Sequence, residues 1–293
     1  MGSNPPESVV EAAPAQPQDQ ESAQPAEQPD GAADPASQQT EAVPHEVTIV
    51  GRDHAFEAPD EVPAGLLTFT FQNEGESVHH LQIVRLNEGV TFEQLMEAFA
   101  EGGEAEAFPL FTPVGGPALT DPGATGQVTL NLDPGAYALL CFVMDEEGTP
   151  HLAMGMARPL TLTGDAAPGA EPQADLTVSM ADFQYAMPTE VEAGPQTWEI
   201  VNDGPQPHEL VLHKLAPGKT VEDVLAFIHQ PEGEPPFTNA GGMQGVAQGG
   251  TGWVHLDLTP GVYVAICYIP DPESGAPHLD LGMVRVFTVG GET

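Results

Sequence analysis

Two stretches gather most of the chemistry in this sequence. CFVMDEEGTPHLAMGM (141–156) and CYIPDPESGAPHLDLGM (267–283) each start on a cysteine, reach a histidine ten or eleven residues later, and end on a methionine five residues beyond it. No other cysteine occurs in the chain. Upstream of each stretch lies a further histidine, His79 in QNEGESVHHLQIVRL and His208 in VNDGPQPHELVLHKL. Two imidazoles, a thiolate and a weak thioether suit copper cycling between two oxidation states, whereas zinc has little use for methionine. The candidate ligands are His79, Cys141, His151 and Met156 in one set, and His208, Cys267, His278 and Met283 in the other.

The elements that must position these residues are repeated too. FEAPDEVPAGLLTFTFQNEGESVHHLQIVRL (56–86) lies over YAMPTEVEAGPQTWEIVNDGPQPHELVLHKL (185–215) at a constant offset of 129, and GATGQVTLNLDPGAYALLC lies over GGTGWVHLDLTPGVYVAIC at 126. Self-similarity over this length predicts two copies of one domain, 45–164 and 175–293, joined by a Gly/Pro/Ala/Asp linker at 165–174. Within each copy apolar residues recur at period two, as in Leu67, Phe69 and Phe71, or Val254, Leu256 and Leu258, with Gly, Pro and Asp turns between. That pattern predicts an all-β chain of two tandem β-sandwiches. One short helix interrupts each copy: Thr91 and Gln94 form a capping-box pattern ahead of Leu95, Met96 and Phe99, and Val221, Val224, Leu225 and Ile228 repeat the spacing.

Register then sorts the polar residues. His79 shares a strand face with Leu81 and Ile83, and His208 with Leu210 and Leu212, so both point inward, while His80 and its counterpart Glu209 face the other way. Cys141 and Cys267 share faces with Tyr137 and Tyr263. Met154 has no counterpart and reads as packing; Met144, Asp145, Glu146 and Glu147 read as a solvated loop. His45, His54, His213, His229 and His255 lack a matching histidine in the other copy and read as surface residues.

Composition narrows the partners. With 44 acidic residues against 6 basic ones the formal net charge is -38. Such a field repels nucleic acid and anionic membranes, favours a basic protein partner, and keeps a protein soluble at high salt, so a halophilic origin is expected. Residues 1–44 are mostly Pro, Ala, Gln, Glu and Ser with no Lys or Arg. They are expected to be a disordered acidic tail, serving as a possible surface tether. No apolar run approaches the roughly 20 residues needed to span a bilayer, and MGSNPPES lacks the regions of a signal peptide, which fits a start that replaces a removed leader. The expected location is extracytoplasmic: secreted, periplasmic or tethered at the cell surface.

With the ligand sets in place, the chain resembles the cupredoxins, the blue or type 1 copper proteins. The resemblance covers both repeats. It rests on N-x5-H (Asn73 to His79, Asn202 to His208), on PGxYxxxC, and on the H-x3-GM endings HLAMGM and HLDLGM. It implies Greek-key β-sandwiches with one copper near the end of each, and therefore two coppers per chain and one-electron transfer to a redox protein partner. The Cys-to-His loops, with nine and ten intervening residues, exceed those of the family's small carriers and approach that of copper nitrite reductases. In the enzymes of the family a histidine beside the cysteine passes electrons to a catalytic copper; here Leu140 and Phe142 flank one cysteine, Ile266 and Tyr268 the other, and no His-x-His pair occurs. The expectation is therefore a protein that is not an enzyme. Three other readings stay open: a copper storage or delivery protein, a copper-free interaction module in which His and Cys merely pack, and a disulfide between the two cysteines.

Overall fold

The computed structural model describes residues 43–167 and 169–290. The expected tail therefore lies, apart from residues 43 and 44, outside the described residues. The first repeat contributes β1 (His45–Arg52), β2 (Ala55–Glu57), β3 (Glu61–Asn73), β4 (Gln82–Leu86), helix α1 (Phe92–Ala107), β5 (Phe111–Gly115), β6 (Thr125–Leu132), β7 (Gly135–Leu140) and β8 (Ala157–Ala167). The second contributes β9 (Leu176–Ala181), β10 (Gln184–Ala186), β11 (Glu190–Val191), β12 (Gly194–Asn202), β13 (His208–Leu215), helix α2 (Val221–His229), β14 (Phe237–Val246), β15 (Thr251–Leu258), β16 (Gly261–Ile266) and β17 (Val284–Val289). Strand β8 runs into the expected linker, as far as Ala167.

In each repeat two sheets face one another. β2, β1, β3 and β6 are hydrogen-bonded side by side, and so are β8, β7, β4 and β5. The chain crosses between these sheets from β3 to β4, from β5 to β6 and from β6 to β7, which are Greek-key connections. Both sheets continue into the second repeat. β6 pairs antiparallel with β15 (Val128 opposite Val254), and β5 meets β14 (Val114 opposite Val246). Matched strands thus meet their own counterparts, the arrangement of a two-fold pair. Polar groups close the seam: Gln82 Nε2 donates to the Gly245 carbonyl at 3.0 Å, and His255 stands between Thr129 Oγ1 at 2.8 Å and Thr197 Oγ1 at 3.3 Å.

The inward alternation read from the sequence holds. Phe69, Phe71, Val128, Leu130, Trp198 and Val254 are buried in a core shared with both cysteines. At the far side of the second sheet each helix lies on its own cluster, α1 through Leu95 onto Val84, Ala138 and Leu140, and α2 through Val224 onto Val264 and Ile266. Both helices start in a reciprocal capping box, Thr91 with Gln94 and Thr220 with Asp223. Caps of this kind contribute about 1 kcal/mol each.

Two histidines read as surface residues are not. His213 is fully buried, its Nε2 2.6 Å from the Tyr268 hydroxyl, and His255 is half-buried in the seam. Their neighbours from other strands cover them, which strand register alone does not show.

Candidate metal centre

In each repeat the end of β7 or β16 delivers a cysteine into the core, and the following loop returns a histidine to it. The return is pinned by matching backbone bonds. His151 N–H donates to the Val143 carbonyl and Leu152 N–H to that of Cys141; His278 N–H donates to Ile269 and Leu279 N–H to Cys267, all at 2.8 to 3.0 Å. A short 3-10 turn follows the histidine and ends at Gly155 or Gly282, whose φ of 111° or 107° is a left-handed conformation natural to glycine. That turn brings Met156 and Met283 back, and their carbonyls accept the N–H of Cys141 and Cys267 at 3.2 and 3.3 Å. Both methionines are fully buried, whereas Met154 is only half-buried. The long loops are therefore closed by turns: Asp145 Oδ1 accepts the Glu147 and Thr149 N–H groups, and Asp271 Oδ2 accepts the N–H and the hydroxyl of Ser274.

His79, Cys141 and His151 converge, as do His208, Cys267 and His278; within each trio the ligand atoms lie within 4.8 Å of one another and all three residues are buried. In the first trio Nδ1 of His79 and Nδ1 of His151 are 2.9 Å apart, and Cys141 Sγ is 3.9 and 3.7 Å from them. In the second the two Nδ1 atoms are 3.1 Å apart and Cys267 Sγ is 3.3 Å from that of His278. A metal with bonds of about 2.0 Å to nitrogen and about 2.3 Å to sulphur in a trigonal plane sets these donors roughly 3.5 and 3.7 Å apart. The residues fit such an ion after shifts of a few tenths of an ångström. Both cysteines are free thiols, so the disulfide reading is set aside.

The outer hydrogen bonds decide which nitrogens face inward. His79 Nε2 donates to Asp53 Oδ1 at 3.1 Å, and His208 Nε2 to Asp182 Oδ1 at 2.9 Å. His278 Nε2 donates to Gln206 Oε1 at 3.1 Å. In the second centre both Nε2–H groups are thus committed outward, and two Nδ1 lone pairs meet each other beside a sulphur. Such a cluster is held together best by an acceptor of electron pairs.

Register pointed to the ligands but missed this outer layer. Asp53 and Asp182 sit in the two-residue turns β1–β2 and β9–β10, at the same offset of 129 as the rest of the repeat, which was the available signal. Gly75 and Gly204 share that offset. A Cβ on either would lie 2.8 Å from Nε2 of the ligand histidine and 2.6 or 3.0 Å from the aspartate oxygen, so the backbone there must be bare for the Asp–His bond to form. Asn73 and Asn202 hold the same loops, each donating to two carbonyls while accepting the N–H of Gly75 or Gly204. After each aspartate comes a residue with positive φ, His54 at 64° and Phe183 at 62°. Its ring stands edge-on to the ligand histidine, 5.5 Å from His151 or 5.1 Å from His278. His80 and Glu209 do face away from the ligands, and they too are buried: His80 Nε2 accepts the Phe142 N–H at 2.7 Å, and Glu209 Oε1 the Tyr268 N–H at 2.8 Å. Each fixes the residue that follows the cysteine.

Burial governs the titration of the ligands. It pushes the Cys141 thiol up to about 11 and raises the Cys267 thiol further. It lowers all four imidazoles, opposed at His79 and His208 by their aspartates and reaching about 4 at His278. Without metal the donors are thus neutral imidazoles ready to coordinate, and thiols whose proton a cation must displace.

No family model matches the chain, and no curated protein matches it. Among solved structures it is similar to the reduced auracyanin of the photosynthetic bacterium Roseiflexus castenholzii, at 23% identity over 42% of this chain and 100% of that one, with a TM-score of 0.29. It is also similar to a multicopper oxidase (15% identity, 84% of this chain and 88% of that one, TM-score 0.25) and to the copper nitrite reductase of Nitrosomonas europaea (14%, 85% and 94%, 0.24). The chain folds as two tandem all-β sandwiches, each with a buried His/Cys/His cluster of a kind that suits a metal ion. One sequence expectation is corrected here. The chain was expected not to be an enzyme, yet the structures similar over most of its length include an oxidase and a reductase, which are enzymes. A missing histidine beside each cysteine removes one route for electrons and leaves others, so it does not exclude catalysis.

Proposed function

We propose that each repeat holds one mononuclear copper, on His79, Cys141, His151 and Met156 in the first and on His208, Cys267, His278 and Met283 in the second, and that the chain passes single electrons. The observation that carries this reading is the convergence of two Nδ1 atoms and a sulphur in both repeats, each trio backed by an Asp–His bond. Copper bound there supplies one-electron exchange between Cu(I) and Cu(II). The protein's own part is to keep the donors fixed and dry while the charge of the metal changes. Aspartate and glutamine hold the rings, closed loops hold the sulphurs, and the edge-on ring of His54 or Phe183 stands over the second ligand histidine. A redox partner with a basic docking face matches the net charge of -38. Among the described residues no helix is long and apolar enough to cross a membrane; we place the protein outside the cytoplasm, where such a carrier exchanges electrons with other proteins.

The test is copper loading of the whole chain. Protein loaded with Cu(II) and freed of excess metal is expected to carry two coppers and an intense visible thiolate-to-copper band. Cys141→Ser should remove one copper and leave the other spectrum, and Cys267→Ser the reverse. Tight retention of Cu(I) alone without colour favours storage or delivery; no binding by the wild-type chain refutes the reading in favour of a copper-free module.

A further inference from the structure

Between the repeats lies a cavity of about 400 Å³ that the copper reading does not use. Phe142 and Tyr268, the residues that follow the two cysteines, both line it, and its wall is mostly apolar. Two carboxylates enter it, Glu104 from α1 of the first repeat and Glu209 from β13 of the second. Glu209 is 5% exposed. One of its oxygens takes the Tyr268 N–H, and the other has no hydrogen-bond partner among the described residues. No lysine or arginine lines the cavity. His80 does, but its Nε2 accepts the Phe142 N–H and therefore carries no proton, so the ring is neutral and offers no countercharge. Two carboxylates facing an aromatic-walled space with no protein cation are an incomplete set, and their complement is a positive charge on an apolar body.

We propose that this inter-repeat cavity binds a small organic cation, a primary amine with an apolar and preferably aromatic body, its ammonium on Glu209 and Glu104 and its body against Phe142 and Tyr268. The cavity volume lies within the range of small-molecule sites, and the field of the whole chain concentrates cations around it. None of the side chains proposed to hold copper lines the cavity, so the metal-free chain retains the site.

Calorimetry on the metal-free full chain tests this, with phenethylamine, phenethyl alcohol and phenylacetate as probes of one shape and three charges. Phenethylamine is expected to bind one per chain and at least tenfold more tightly than the alcohol, with phenylacetate not bound. Glu209→Gln should remove the preference for the amine. Glu104→Gln, at a half-buried position where folding is little at risk, should weaken amine binding several-fold. Leu119→Trp, which fills the cavity, should abolish it, with circular dichroism confirming each fold. Equal affinity for the amine and the alcohol, no saturable binding, or amine binding unchanged in Leu119→Trp would overturn the proposal, the last by placing the amine on the general acidic surface.

Discussion

Replacing Asp182 with asparagine isolates what the carboxylate behind a ligand histidine contributes. Asp182 is the cleaner of the two positions, because among the described residues its side chain hydrogen-bonds only to His208, whereas Asp53 also accepts the N–H groups of Glu76 and Ser77. Asparagine keeps an acceptor for the Nε2–H and removes the charge. With Oδ1 2.9 Å from Nε2, the ring and a metal–nitrogen bond put the carboxylate roughly 7 Å from a bound ion. At an effective dielectric of about 20 to 40, one charge at that distance, the net gain when Cu(II) displaces the thiol proton, is worth about 1 to 2.5 kcal/mol. Asp182 is 32% exposed, so screening favours the lower end, roughly a tenfold loss of Cu(II) affinity. Cu(I), with half the charge, should lose less, so the reduction potential should rise. The assay is competitive copper titration of the second centre alone, in a Cys141→Ser background, with redox potentiometry on the same sample. Asp182→Ala, which also frees the imidazole to rotate, should cost more, within the ten- to hundredfold typical of such partners. An Asp182→Asn centre with affinity and potential unchanged would refute the argument that this bond tunes the site.

Further outcomes follow from burial and charge. Copper uptake between about pH 7 and 8 should release close to one proton per copper, from the thiol alone, since burial raises both thiols and holds the imidazoles below their usual range; two protons per copper in a pH-stat titration would contradict this. His213 has its folded pKa lowered by burial from 6.5 to about 3, so the stability tied to its neutral ring is present above pH 6.5 and lost as pH falls toward 3. The loss is about 1.4 kcal/mol per pH unit, and urea titrations of His213→Phe should show a slope one proton shallower between pH 6.5 and 4.5. Electron-transfer rates with a basic carrier should fall steeply from about 0.01 to 1 M salt, as the Debye length shrinks from about 30 to 3 Å, while a neutral small reductant is nearly unaffected. Equal salt dependence of the two would leave the acidic surface without a steering role.

The convergence of the two His/Cys/His trios was legible because these residues obey local rules. Period-two alternation placed His79 with Leu81 and Ile83, and the offset between repeats identified His208, Cys267 and His278 as a second copy of the same set. The first helix was legible from its capping box and the second from the repeated apolar spacing. What the sequence did not display lies in contacts between distant segments. Asp53 reaches His79 across 26 residues, Gln206 reaches His278 across 72, and His213 is covered by Tyr268 and Phe237 from other elements. The pairing of the repeats was hidden for the same reason, since nothing in β6 or β15 alone says that each ends one sheet and begins the next.

The two centres share a frame and differ outside it, and the difference is ordered. In the second, Gln206 bridges His278 to Asp271, and Asp271 also ties the turn inside the Cys-to-His loop. Ring, loop and turn are thus joined by one chain of hydrogen bonds. At the matching place in the first centre stands Ser77, and His151 Nε2 has no hydrogen-bond partner among the described residues, its outer neighbour being the exposed His54 where the second centre has the half-buried Phe183. The ring that is tied also carries the deeper cover, and the ring that is free stands beside a polar, wetter group. A ring held against rotation resists the change of geometry that accompanies a change of metal charge, while a free one yields to it. Identical ligands in a duplicated fold therefore do not imply identical centres. The divergence lies in the shell around the second histidine, where a substitution alters that shell and leaves the His/Cys/His trio and the sandwich in place.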